Sequence, residues 1–166
     1  LSTSGDTLFL LGPEYLMLRQ EFWDKSSFVV RPTVHNILVV LGGSDPYELM
    51  PSILSMLDDL QYDFIINAII GPFADTEHNV KQVIDKSRHV INLFHAPDTL
   101  QELMLQADLA ISAGGQTLYE LLCVGCPTVA IEVALNQRKQ LQALVELGCL
   151  HTICDGADNN VLPSLA

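Results

Sequence analysis

The sequence predicts an α/β domain with a doubly wound parallel sheet of about six strands. Two observations support this prediction. From residue 35 onward, short apolar runs rich in Val and Ile alternate with segments whose apolar residues recur at helical spacing. The apolar runs are nearly continuous, which is typical of strands that helices cover on both faces of a parallel sheet. Right-handed crossovers are therefore expected between the strands.

The strands and helices can be assigned in chain order. The predicted strands are residues 36–43, 63–71, 89–94, 108–113, 127–132 and 150–155. The predicted helices are residues 46–60, 75–87, 98–106, 116–125 and 136–148. Asp75 or Thr76 is a suitable cap for the second helix, and Asp98 or Thr99 is suitable for the third.

The two ends of the chain do not fit this alternation. Residues 1–34 contain the stretch GPEYLMLRQEFW and complete no strand–helix unit. We interpret them as an interdomain segment that leaves an amino-terminal domain missing from this chain. Its apolar side chains either face that domain or cover an edge of this chain's own sheet. Residues 35–166 then form the α/β domain, and the final letters, NNVLPSLA, indicate a last helix that is cut short.

The composition excludes several classes of function. The chain has 166 residues, with 20 acidic against 8 basic residues and a formal net charge of -12. Such an acidic chain is a poor candidate for binding nucleic acid or an anionic membrane surface. No apolar run is long enough to cross a bilayer, and the first residues lack the basic start of a signal peptide. We therefore expect a cytoplasmic protein without membrane insertion.

The four cysteines leave two interpretations open. Cys123 and Cys126 have the C-x-x-C spacing of many zinc sites, and Cys149 and Cys154 follow downstream. Alternatively, Cys123 lies on an apolar helical face and Cys126 lies in a tight turn, where small hydrophobic residues fit well. The second interpretation is the simpler one, and we expect no metal site.

Glycine pairs follow two of the predicted strands. Gly42 and Gly43 precede Ser44 after the first strand, while Gly114 and Gly115 follow the fourth. In the strand order 3-2-1-4-5-6, these two strands are neighbours at the switch point, where a crevice opens. Glycine lets a ligand approach the backbone closely, and the free N–H groups of a helix start favour an anion. Alternatively, these glycines serve only tight turns and helix–strand packing.

Polar side chains follow the second glycine pair. Gln116 and Thr117 can donate hydrogen bonds to a phosphate, and Glu120 lies one turn further along the helix. A carboxylate at that depth can accept hydrogen bonds from both hydroxyls of a ribose, although a solvated glutamate is an equally simple interpretation. The dinucleotide motif G-x-G-x-x-G and the P-loop are both absent. We therefore expect a nucleotide ligand and no bound cofactor.

Three segments of the sequence resemble a known family. LVVLGGSDP, ADLAISAGGQTLYELLCVGCPTVAI and the pair Asn136-Gln137 are similar to the carboxyl-terminal domain of the UDP-sugar hydrolase of pseudaminic acid biosynthesis and to spore-coat polysaccharide proteins. A more distant resemblance is to the N-acetylglucosaminyltransferase that forms lipid II. All are GT-B proteins, in which two Rossmann-like domains hold a nucleotide sugar in the cleft between them. The resemblance implies the carboxyl-terminal half of a GT-B architecture, with a UDP-sugar and the missing amino-terminal domain as partners.

The resemblance also implies roles for individual residues. The implied nucleotide-binding residues are Gly42, Gly43, Ser44, Phe94, His95, Gly114, Gly115, Gln116, Thr117 and Glu120. In this assignment the glycine turns contact the diphosphate, Glu120 contacts the ribose, and the loop at residues 93–95 receives the uracil. Asn136 and Gln137 would contact the sugar or the reacting water.

No catalytic base can be assigned in this chain. The hydrolases that it resembles carry the motif G-x-G-H-x-x-R near their amino terminus, and that motif does not occur here. The catalytic residues are therefore unknown, with Asn136 as a candidate helper, and we expect the isolated chain to be inactive. Three functions stay open. They are the UDP-binding domain of a nucleotide-sugar hydrolase, the donor-binding domain of a UDP-sugar glycosyltransferase, and a non-catalytic nucleotide-binding module.

Overall fold

The predicted doubly wound sheet is present. A computed structural model describes residue 12 and residues 15–23, 29–150 and 153–156. Its sheet has six parallel strands in the order β3-β2-β1-β4-β5-β6, so the expected strand order is confirmed. The strands are β1 (Asn36–Val40), β2 (Ile65–Ile70), β3 (Val90–His95), β4 (Leu109–Ala113), β5 (Thr128–Glu132) and β6 (Ile153–Asp155).

Five helices join the strands and pack on the two faces of the sheet. They are α1 (Leu49–Asp59), α2 (Glu77–Ile84), α3 (Gln101–Gln106), α4 (Gln116–Val124) and α5 (Arg138–Glu146). Short 3-10 turns lie at Gln20–Phe22 and Leu135–Gln137. Ile53 and Leu57 of α1 belong to the core cluster on one face, and Met104 and Leu121 belong to the cluster on the other. The strands β1, β2 and β4 are thus buried on both faces, which explains their nearly continuous apolar sequences, whereas the outer strand β3 is partly exposed.

The register of the central strands brings the two glycine pairs together. Val40, at the end of β1, pairs with Ser112 of β4. Each glycine pair begins two residues beyond this matched position, at Gly42 and Gly114. Parallel strands in register end at the same edge of a sheet, so both turns leave the carboxyl edge side by side.

The helix starts differ from the predicted caps. Thr76 is the N-cap of α2, but its side chain makes no capping hydrogen bond, and Leu100 is the N-cap of α3. Thr99 accepts only a long hydrogen bond of 3.4 Å from the amide of Gln101. The predicted side-chain cap is therefore absent from α2, where Thr76 is the N-cap by position only, and at α3 it is limited to the long hydrogen bond of Thr99. Tertiary packing, rather than capping, stabilises such short helices.

A buried carboxylate attaches the segment before β1 to the opposite, amino edge of the sheet. Asp108 accepts hydrogen bonds from the amides of His35 and Asn36, both at 2.8 Å, and from Nη1 of Arg31 at 2.5 Å. Burial raises the pKa of Asp108, but these donors together lower it below its usual range. Because the folded pKa is lowered, this carboxylate stabilises the fold above its ordinary pKa, and that contribution disappears as pH falls through the lowered value.

Some sequence predictions lie outside the described residues. They concern the truncated helix expected after residue 156 and the course of the chain before residue 12. Over the described part, no helix combines the length and apolar character needed to span a membrane.

Candidate functional site

Two adjoining cavities lie at the carboxyl edge of the sheet, and Gly42, Gly43 and Gly115 border them, whereas the predicted site residue Gly114 lines neither. The β5-side cavity, of about 330 Å³, is lined by Leu41, Gly42, Gly43, Ser44, Pro46, Ala113, Gly115, Gln116, Thr117, Val133, Ala134 and Gln137. The β2-side cavity, of about 320 Å³, is lined by Arg19, Val40, Gly42, Gly43, Ile69, Gly71, Pro72, Ala96, Pro97, Leu100, Gln116, Thr117 and Glu120. The two cavities share the walls formed by Gly42-Gly43 and Gln116-Thr117, so the two turns face one continuous hollow.

At the first glycine corner, residues 42–45, a side chain of the corner caps the helix that follows. Asp45 accepts hydrogen bonds from the amides of Leu49 at 2.9 Å and Met50 at 3.0 Å, which are the first amides of α1. Its backbone has φ of 41°, and Gly42 has φ of 81°, a left-handed conformation that favours glycine. The start of α1 therefore has an internal anion, and its amides are not available to an external one.

The second glycine corner, residues 114–117, is open. Gly115 is the N-cap of α4 and carries no capping side chain. The amides of residues 115–117 donate no hydrogen bond to any described residue. The Gly114 amide, in contrast, donates to the carbonyl oxygen of Ile131 in β5 at 3.0 Å. These free amides at the start of a nine-residue helix face the hollow, which is the arrangement that favours an anion.

The glycines of the site serve different purposes. A Cβ on Gly71 would lie 2.2 Å from the carbonyl oxygen of Gly42, because the loop after β2 crosses the first corner at close range. A Cβ on Gly114 would lie 2.8 Å from Leu141 of α5. A Cβ on Gly115, in contrast, would meet nothing within 4 Å. Packing thus explains Gly71 and Gly114. A Cβ on Gly42 would, like one on Gly115, meet nothing within 4 Å, so the space beside these two glycines is open to a ligand, although the positive φ of Gly42 favours glycine by itself.

Glu120 is the most deeply buried acid of the site. Its side chain is 1% exposed, and both oxygens accept hydrogen bonds from Arg19, Oε1 from Nε and Oε2 from Nη2, each at 2.7 Å. Hydrogen bonding to Glu120 raises the pKa of Arg19. The interpretation of Glu120 as a solvated glutamate is therefore wrong. Of the arginines and lysines in the described residues, Arg19 alone lines the hollow.

The predicted uracil loop lies slightly off the hollow. Phe94 packs against the core cluster beside α3, and His95 Nε2 lies 3.6 Å from Glu77 Oε1 on an exposed surface. The next two residues, Ala96 and Pro97, line the β2-side cavity instead. They form an apolar wall with the residues Ile69, Pro72 and Leu100.

The predicted sugar-binding pair is divided between two environments. Gln137 lines the β5-side cavity, and its Oε1 accepts a hydrogen bond from the amide of Val133 at 3.0 Å. Asn136 is exposed in the turn before α5 and does not line the cavity. Gln140 donates to the carbonyl oxygen of Gly114 and so attaches α5 to the second corner.

Of the two cysteines in the C-x-x-C pair, the buried Cys126 supports the packing interpretation, whereas Cys123 is exposed. Burial raises the pKa of Cys126 to about 12, so its thiol stays protonated and is a poor metal ligand. Cys123 is exposed and lies near the carbonyl oxygen of Phe22, with its sulfur at 3.6 Å. Within the described residues, no group of His, Cys, Asp or Glu side chains has the arrangement of a metal site.

Comparison with models of known protein families shows which family this chain belongs to. The glycosyltransferase family 28 C-terminal domain matches residues 37–150, which include both glycine corners. The chain belongs to this family. The matched residues contain β2 to β5, all but the first residue of β1, and every residue that lines the two cavities except Arg19.

Individual relatives cover this chain well, but they are longer. An uncharacterized protein of Methanocaldococcus jannaschii is 36% identical over 132 residues, covering 75% of this chain and 27% of that protein. The spore coat polysaccharide biosynthesis protein SpsG of Bacillus subtilis is 30% identical over 147 residues, covering 87% of this chain and 43% of that protein. The chain thus spans less than half the length of these two relatives.

A solved structure has the same fold. The crystal structure of Acinetobacter baumannii MurG matches 81% of this chain and 41% of its own chain, with a TM-score of 0.67 and 20% sequence identity. At this identity the match shows the fold alone. The expected likeness to spore-coat polysaccharide proteins is confirmed by the sequence match to SpsG, and the expected GT-B-type fold is confirmed by the family match and the MurG structure.

Sequence reasoning missed two residues of the site. Asp45 is recognisable only as a capping-type residue ahead of a helix, but the predicted helix began at the next residue. Arg19 lies 101 residues from Glu120 in sequence, so no local pattern indicates their contact. The signal available for Arg19 was a single basic residue in the apolar stretch of a strongly acidic chain.

Proposed function

We propose that this chain is the donor-binding domain of an enzyme that breaks the bond between a sugar and UDP. The observation that supports this proposal is the uncapped start of α4, whose amides at Gly115, Gln116 and Thr117 border the hollow. Stabilising a departing diphosphate with such pre-oriented amides is a recognised contribution to catalysis.

The shape of the hollow suggests how the ligand lies. The diphosphate belongs at the shared wall, next to the second glycine corner. The nucleoside belongs in the β2-side cavity, where Glu120 supplies acceptors for ribose hydroxyls and Pro72, Pro97 and Leu100 supply an apolar wall for the base. The sugar then extends into the β5-side cavity toward Gln137.

Local charge favours this placement despite the acidic composition. Arg19 lines the β2-side cavity, as Gly42 and Gly43 do, and it supplies a positive charge there. The Asp45 carboxylate occupies the start of α1, so an incoming diphosphate is directed away from the first corner and toward the second.

The described residues supply no general base for the reaction. The one acid lining the hollow, Glu120, is committed to Arg19, and His95 lies outside both cavities. Activation of water or of an acceptor would then come from another part of a longer protein. Hydrolase and glycosyltransferase versions share the same leaving group. The relative named for spore coat polysaccharide biosynthesis supports a role in making a surface polysaccharide. It does not distinguish the hydrolase from the glycosyltransferase.

Isothermal titration of the chain with UDP tests the proposal. We expect saturable binding of UDP, and weaker binding for Glu120→Ala by about 1–3 kcal/mol because ribose hydroxyls lose their acceptor. The matched control is Asp108→Asn, which alters a buried, arginine-paired carboxylate at the opposite edge of the sheet and should leave UDP affinity unchanged. Absence of UDP binding to the folded parent chain would contradict the proposal.

A second measurement addresses the catalytic half. The isolated chain should release no UDP from UDP-N-acetylhexosamines, because it lacks a base at the hollow. Turnover by this chain alone would show that the base lies within it.

A further inference from the structure

The segment of residues 15–23, here called the strap, is held across the start of α4. Phe22 is 3% exposed and packs in the core cluster that contains Leu121. Gln116 donates from Nε2 to the carbonyl oxygen of Met17 at 2.8 Å, and Gln101 donates to the carbonyl oxygen of Glu21. The strap therefore occupies Gln116, one of the two side chains proposed to reach the diphosphate.

Arg19 is the strap's main polar contact with α4. Its guanidinium hydrogen-bonds both oxygens of Glu120, lies 5.3 Å from the ring centroid of Phe22, and is 3.4 Å from Glu21 Oε1. Bidentate geometry of this kind is among the stronger side-chain interactions. The guanidinium is itself partly exposed, with 43% of the side chain accessible, whereas Glu120 is 1% exposed.

These contacts leave no accessible side of Glu120 for a second donor. A carboxylate has lone pairs for about four hydrogen bonds, but those not used by Arg19 are buried. Ribose hydroxyls can reach Glu120 only when the guanidinium gives up at least one of its oxygens.

We propose that Arg19 of the strap competes with the ribose for Glu120, so that nucleotide binding requires the strap to release this carboxylate. The proposal rests on the proposed function, because it takes Glu120 as the ribose acceptor. It adds that the strap lowers affinity for a nucleoside and makes ribose recognition dependent on the position of a segment outside the sheet.

The test compares uridine with 2′,3′-dideoxyuridine on the chain and its Arg19→Gln variant by calorimetry. Removing the competitor should tighten uridine binding about tenfold, because Glu120 is then free to accept both hydroxyls. Binding of 2′,3′-dideoxyuridine should not change, since it lacks those hydroxyls. Uridine binding that is equal or weaker in Arg19→Gln would overturn the proposal.

Controls separate this proposal from general effects. Arg31→Gln removes the other arginine that ties the segment before β1 to a buried acid, at the far edge of the sheet, and should leave uridine binding unchanged. Arg19→Lys keeps the charge but not the bidentate geometry, and should give an intermediate gain even if Arg19→Gln folds poorly. Equal gains in Arg31→Gln and Arg19→Gln would overturn competition at Glu120.

UDP binding to the parent chain distinguishes the two proposals. If UDP binds but uridine affinity is the same in the parent chain and in Arg19→Gln, the proposed competition at Glu120 is wrong and the proposed function stands. If UDP does not bind the folded chain at all, the proposed function is wrong, and the competition is wrong with it.

Discussion

The two glycine corners look alike in sequence and differ in what their helices offer a ligand. Each follows a central strand, and the two strands are paired in register. At the first corner, Asp45 bonds the first amides of α1. At the second corner, α4 begins at Gly115 without a capping side chain. The comparison teaches that a glycine pair at a strand end leaves helix amides free for an anion only where the helix start has no internal cap.

The loop after β2 packs tightly against the first glycine corner. Gly71 is required because the loop after β2 passes against the backbone of Gly42 and Gly43. Phe73 strengthens this crossing by donating its amide to the carbonyl oxygen of Gly43 at 2.8 Å. The first corner is thus a structural junction between two loops, and the second is the open side of the hollow.

The largest effect should come from breaking the first corner with Gly71→Ala. The new Cβ would lie 2.2 Å from the Gly42 carbonyl oxygen, so the backbone must move, at a cost of about 3 kcal/mol of unfolding free energy. Urea denaturation followed by circular dichroism measures this. A variant as stable as the parent would mean that the two loops do not cross as described.

At the second corner, Gly115→Ala should weaken UDP binding about tenfold while changing stability by less than about 0.5 kcal/mol. Its backbone φ of -98° is accessible to alanine, and the methyl group meets no protein atom, so it occupies only the space proposed for the diphosphate. Calorimetry and thermal melting together test this. Undiminished UDP affinity would argue that the diphosphate does not approach Gly115.

Removal of the internal cap should have a moderate effect on stability. Asp45→Ala leaves the amides of Leu49 and Met50 without their acceptor, and we expect a loss of about 1 kcal/mol. The comparison variant is Thr76→Ala, because Thr76 is the N-cap of α2 without a side-chain capping bond. An equal loss in both variants would indicate that the cap at Asp45 contributes nothing specific.

The smallest expected effect concerns the negative charge of Asp45 at the first corner. Asp45→Asn removes a negative charge near the hollow and keeps one of the two capping acceptors, so UDP affinity should rise about threefold. Titrations at low and high salt measure the gain, which should shrink as salt screens the charge. A lower UDP affinity in Asp45→Asn would mean that the first corner assists the diphosphate instead of directing it away.

Much of the fold was predictable because its signals are local. The run Asn36–Val40 and the helical spacing of Ile53 and Leu57 depend only on neighbouring residues and the period of each element. The strand order follows from general rules for crossovers, and the side-by-side position of the glycine pairs follows from that order. Capping was less predictable, because Asp45 caps α1 from four residues before Leu49, and the apolar residue Leu100 is the N-cap of α3.

The candidate site was predictable only in part. Residues 115–117 of the second corner and Glu120 do border the hollow, because a short segment of chain positions them relative to β4, whereas Gly114 packs against α5 instead. The loop predicted to receive a uracil does not line the cavities, since Phe94 packs against the core and the nearby Ala96 and Pro97 line the β2-side cavity instead. The partner of Glu120 could not be predicted, because Arg19 reaches it from a segment 101 residues away.

The sequence by itself determined the alternation of strands and helices, the burial of the sheet on both faces and the presence of two glycine turns at one edge. These follow from side-chain period and from the conformational range of glycine, which are properties of short segments. Only the tertiary structure decided which helix start keeps free amides, because Asp45 caps α1 and, among the described residues, no side chain caps α4. It also decided that Glu120 is buried against Arg19, because ion pairs depend on distances in space that no stretch of sequence contains.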